Sequence, residues 1–174
     1  MTANDTLIIL LTGAGATAFT DLWVLLRRRV FGTPLPNFAF VGRWIAQLAR
    51  GRVRHDSIAA APPVRGELAI GWTTHYAIGM AFALALPAAW GPEWIRHPAL
   101  IPALIVGIAT VAAPFLIMQP AMGMKPSAAA RLHSLVMHAM FGFGLYLAAT
   151  VAARSNGMIV LWMSIRGPSS YTFV

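Results

Sequence analysis

Four apolar stretches constrain this chain more than any other feature: Leu7 to Leu26, Leu68 to Ala89, Leu100 to Met118 and Leu132 to Ala153. Each approaches the roughly 20 residues an α-helix needs to cross about 30 Å of hydrocarbon. In lipid the backbone must satisfy its own hydrogen bonds, so segments of this length predict spanning helices. Each is bounded by charge or proline. Arg27, Arg28 and Arg29 end the first, Arg65 and Glu67 precede the second, Pro98 and Pro120 frame the third, and Arg131 precedes the fourth. Trp72, Trp90 and Trp94 fall near span ends, the depth an amphipathic indole prefers. The predicted fold is therefore all-α, an integral-membrane bundle of four transmembrane helices. It is expected as a single domain over residues 1–153, followed by an outward-facing tail over 154–174 in which 158–163 is too short to span and Gly167 onward is unstructured.

Composition agrees. The chain is 58% hydrophobic and 10% charged, where a soluble domain carries about 25% charged residues. With no cysteine, disulfides, thiolate nucleophiles, iron–sulfur ligation and Cys-based zinc sites are excluded. No nucleophile elbow, P-loop, dinucleotide fingerprint or HExxH helix is present. The net charge of +8 is concentrated between spans, with eight arginines from Arg27 to Arg65 set against Asp56, and Lys125 in the last loop. That distribution points to anionic headgroups and topology, and away from nucleic acid. The positive-inside rule then predicts cytoplasmic basic loops and both termini outside. The amino terminus carries Asp5 and no basic residue before the first apolar run, so that run is expected to be a retained span, not a signal peptide.

Within the basic segment, Val41, Trp44, Ile45 and Leu48 recur at helical spacing, leaving Arg43, Gln47, Arg50 and Arg54 for the other face. This predicts a helix lying on the inner headgroup surface, with Arg43, Trp44, Arg50, Arg52 and Arg54 touching lipid headgroups or a partner. A plain amphipathic connector is the simpler alternative. A faint internal repeat also runs through the chain. His75, Gly79, Leu84 and Ala85 align without gaps with His138, Gly142, Leu147 and Ala148, which fits parallel halves.

Ionisable side chains inside spans are costly, so they are where function is sought. Asp21, His75 and His138 each lie roughly 9–12 Å from the basic boundary of their spans, counted at about 1.5 Å per residue. Thr17 shares a helix face with Asp21, and the third span brings Thr110 and the kinking Pro114. Neighbouring glycines suggest that these stripes face inward as one polar cluster. Three readings stay open. The cluster fixes helix register; His75 and His138 ligate a haem or another tetrapyrrole, or join Asp21 as metal ligands; or the residues relay protons or a small solute. His55, His97 and His133 are expected to be solvated near the interfaces, and Met118, Met122 and Met124 to be packing, with a copper stripe the alternative.

Several motifs together look familiar. They include Gly15-Ala16-Thr17 leading to Asp21-Leu22-Trp23, Gly42-Arg43-Trp44, Arg50-Gly51-Arg52 followed by His55, and Gly66-Glu67. They continue through Gly71-Trp72, His75-Tyr76, Ala113-Pro114-Phe115, the run Met118 to Gly123, His138, Phe141-Gly142 and Gly144-Leu145-Tyr146. Up to about Ala153 the chain resembles a domain-of-unknown-function family of small four-span bacterial inner-membrane proteins with no assigned activity. The resemblance implies the topology and carries over no catalytic residue. The Gly123 to Arg131 loop is shorter than the family's, and the tail after Ala153 follows no pattern of it. The leading functional expectation is a binding or accessory subunit of a larger membrane complex, since no reaction motif is present. Homo-oligomerisation, a redox protein built on His75 and His138, and a small oligomeric transporter or channel using Asp21 are the alternatives.

Overall fold

A computed structural model of the chain describes residues 1–166; the stretch from Gly167 expected to be unstructured lies outside the described residues. It is all-helical, in the order α1 (Ala3–Phe31), α2 (Phe38–Leu48), α3 (Glu67–Ala83), α4 (Ala85–Trp90), α5 (Glu93–Arg96), α6 (Leu100–Ala109), a π-helical segment (Ala113–Met118), α7 (Gln119–Ala121) and α8 (Ala128–Arg166). Four helical stretches are long and apolar enough to cross a membrane: Ala3–Phe31, Glu67–Trp90, Leu100–Ala121 and Ala128–Ser155. They contain the four predicted spans. The helix of the last one continues through Arg166, into the region expected as a tail.

Local chemistry sets the ends and breaks. Thr2 and Asp5 close a reciprocal capping box at the start of α1, and Gly32, at φ +64°, terminates it by donating to the Arg28 carbonyl. The Asn37 side chain accepts from the Ala39 amide to start α2. Pro87 has no N–H for the Ala83 carbonyl four residues back, and the helix breaks at Leu84 between α3 and α4. Pro114 does the same to the Thr110 carbonyl, which takes the Ala113 amide instead at 3.1 Å, and the chain relaxes into the π segment.

The long helices pack as a row, α3 on α1, α1 on α8 and α8 on α6, with α2 laid against α3. Because lipid is as apolar as leucine, hydrophobicity does not drive these contacts, and close backbone approach must. Glycines supply it. A Cβ on Gly13 would stand 2.6 Å from the Gly79 carbonyl oxygen in the α1–α3 seam, and one on Gly142 would stand 2.7 Å from the Ala103 carbonyl in the α6–α8 seam. Gly42 and Gly71 do the same between α2 and α3. The α1–α8 seam adds Phe19 edge-on to Phe143 at 5.8 Å. At the end carrying α4 and α5 the row curls until α4 touches α6. Below that contact α3 and α6 share no extended seam, and a groove of about 470 Å³ opens between them.

Candidate functional site

Close packing of α1 on α3 creates the first polar site. Thr17 lies against Gly79 and turns its hydroxyl back to the Gly13 carbonyl, donating at 2.9 Å. One turn further toward the basic end, Asp21 meets His75 Nε2 through Oδ1 at 3.1 Å and accepts from the Tyr76 hydroxyl through Oδ2 at 3.1 Å. A carboxylate only accepts, so Nε2 carries the proton in this contact, and a neutral His75 keeps its lone pair on Nδ1. The imidazole lies against the Phe38 ring at 4.4 Å between centroids, and Trp72 packs on Phe38 at 4.5 Å. Both polar partners are largely shielded, with side-chain exposures of 27% for His75 and 18% for Asp21.

Close packing of α6 on α8 creates the second. Thr110 donates to the Gly107 carbonyl at 2.6 Å, which commits its single hydroxyl proton. Its 2.8 Å contact with His138 Nδ1 is therefore made by the imidazole donating, which leaves Nε2 of a neutral ring as an acceptor. Among the described residues, Thr110 is also the sole polar one lining the groove, whose walls include Phe82, Ala85, Val106, Ala109, Ala113 and Leu116.

The single cluster expected from the sequence is thus two sites. Asp21 and Thr17 belong with His75, Thr110 belongs with His138, and α1 lies between α3 and α8. Shared depth along four helices says nothing about the direction each side chain takes around its axis. Among the described residues no three His, Asp or Glu side chains gather closely enough to hold a metal ion, so Asp21, His75 and His138 do not form the proposed ligand set. The two histidines turn to different neighbouring helices, His75 to α1 and His138 to α6. Tyr76 was missed as a partner of Asp21; its place directly after His75 was the available signal.

Arg43 requires a second correction. It was expected at the headgroups, yet it is 6% exposed and points into the protein. Nε and Nη2 donate to the two oxygens of Glu67, both at 2.8 Å, while Nη1 donates to the carbonyls of Ile58, Ala59 and Ala61 at 2.9–3.3 Å. The Glu67 hydrogen bonds hold the guanidinium pKa above its ordinary value. Gln47 is buried beside it, so α2 turns its polar residues inward and leaves Trp44, Ile45 and Leu48 partly exposed on its outside. Glu67, at the first residue of α3 where negative charge is favoured, was the overlooked counter-ion.

The linker after α2 is fixed by backbone contacts. The amides of His55 and Ile58 donate to the carbonyls of Ala121 and Met122 at 2.8 and 3.0 Å. Gly123, at φ +68°, packs directly on the Asp56 carbonyl. His55 Nε2 is buried with no partner among the described residues, unlike the solvated state expected of it. His133 accepts from Arg27 at 2.7 Å, bridging α1 and α8, and Met122 is a 1% exposed core residue. Arg50, Arg52 and Arg54 are exposed, and their guanidinium groups form no hydrogen bond or ion pair with any described residue.

A family model described as a protein of unknown function, DUF2938, matches residues 10–152. No curated protein and no solved structure matches the chain.

Proposed function

The chain belongs to this family of unknown function, DUF2938, and from its geometry we propose that it is a binding subunit of a larger membrane assembly. The groove between α3–α4 and α6 would receive a helix of a partner protein. The observation that carries this reading is the groove itself. The row of helices is open along one side, at membrane depth, and the opening is lined by Ala85, Ala109, Ala112 and Ala113. Small residues let a partner backbone approach, which is the main source of helix association in lipid.

The polar groups within the spans support the same reading. Asp21, His75, Tyr76, Thr110 and His138 each hold a neighbouring helix. A conducting path would need polar groups along the opening, where Thr110 is the one polar lining residue among those described. In this proposal the membrane is the bacterial inner membrane, with the Arg-rich loops cytoplasmic and the amino terminus outside.

Photo-crosslinking tests it. Benzoylphenylalanine at Ala109 or Ala113, irradiated in native membranes, is expected to give a discrete protein adduct that is missing at lipid-facing Leu22, which is 66% exposed on α1. Lipid adducts alone at all three positions would sink the reading.

A further inference from the structure

The exposed arginines after α2 are held in place without using their own charges. Gly51, at φ +80°, turns the chain, and the Gln47 carbonyl accepts from the amides of both Arg50 and Arg52 at 3.0 Å. The Trp44 indole donates to the Val53 carbonyl at 3.0 Å, and the following residues are tied to Ala121 and Met122. An ordered segment thus presents three guanidinium groups with no partner among the described residues. Charge at a helix C-terminus explains Arg50 at most, because that favourable field fades within a turn. Arg52 and Arg54 lie beyond it. The apolar neighbours are equally informative: Leu48 is 37% and Val53 52% exposed, and Trp44 is half-buried beside them.

A water-borne anion would gain nothing from Leu48 and Val53. A phospholipid meets both features at once, with its phosphate on the guanidinium forks and its acyl chains against the apolar surface. We propose that Arg50, Arg52 and Arg54, with Trp44, Leu48 and Val53 beside them, form a binding site for the headgroup of an anionic phospholipid.

The test uses the full chain in nanodiscs containing equal amounts of phosphatidylglycerol and phosphatidylcholine, with the retained lipid read by native mass spectrometry. Wild-type protein is expected to retain phosphatidylglycerol selectively, and R50Q/R52Q/R54Q to retain roughly tenfold less. R28Q/R29Q, which removes two exposed charges from the end of α1, is expected to retain it nearly as wild type does. Because all these arginines are exposed, each variant should match wild type in circular dichroism and elution volume. Three results would overturn the proposal: equal retention of both lipids by wild type, an unchanged triple variant, or equal losses in the two variants. Displacement of the lipid by millimolar inorganic phosphate would also overturn it, identifying a simple anion site.

Discussion

The two halves of the bundle solve one packing problem with different polar chemistry. In the α1–α3 pair, Gly79 lets the helices touch, and His75, four residues earlier, reaches a carboxylate that Tyr76 also holds. In the α6–α8 pair, Gly142 lets the helices touch, and His138, again four residues earlier, reaches the neutral hydroxyl of Thr110. The faint repeat of His75 and Gly79 in His138 and Gly142 therefore corresponds to a repeated device, a glycine crossing with a histidine fastener. The halves diverge in what surrounds it. α2 is clamped to the first half through Arg43 and Glu67, while the second contains the π segment, and both halves line the groove. The first half carries the charged fastener and the α2 clamp, the second the neutral fastener and the irregular wall of the groove that opens between them.

Substitutions that fill the crossings should give the largest effects. Gly142→Leu places a side chain against the Ala103 carbonyl, which cannot yield, and Gly79→Leu drives one into the Thr17 side chain packed in the crossing, each at a cost of about 3 kcal/mol. Both are expected to lose the folded species in size-exclusion chromatography. Severe loss in one half only would mean that the crossings are not equivalent.

Next comes the clamp peculiar to the first half. Arg43→Gln strips Glu67 and three carbonyls of a shared donor, so the linker from Arg50 to Gly66 should be cut by trypsin roughly tenfold faster, with the spans intact. An unchanged cleavage rate would show that the backbone contacts to Ala121 and Met122 suffice.

The fasteners themselves should rank by charge. Asp21→Ala leaves both His75 and Tyr76 unpaired and is expected to destabilise the protein by about 1–2 kcal/mol in an unfolding titration. Thr110→Val should cost about 0.6 kcal/mol, the typical value of an intramembrane hydrogen bond. The reverse order would undo the distinction between a charged and a neutral fastener.

Much of this architecture is legible in the sequence, because length and hydropathy alone dictate spans: the chain must place Leu7 to Leu26 and its three counterparts in helices. Pro114 likewise announced the irregularity in the third span. The direction in which polar residues point was less accessible. Asp21, His75 and His138 share a depth, but glycine crossings formed with different neighbours decide where each side chain goes, and those crossings are tertiary facts. Arg43 was misplaced for a related reason. Amphipathic patterning assumes that charge seeks water, whereas α2 has a carboxylate and three carbonyls on its inner side and its apolar residues on the outside.

The central claim is that His75 and His138 serve two independent fasteners, one in each helix pair, and double-mutant cycles on unfolding free energy test it most directly. His75→Ala and His138→Ala should add to within about 0.5 kcal/mol, while Asp21→Ala and His75→Ala should couple by about 0.6–1.7 kcal/mol. Coupling between the two histidines as large as that between Asp21 and His75 would contradict the account and restore a single shared site.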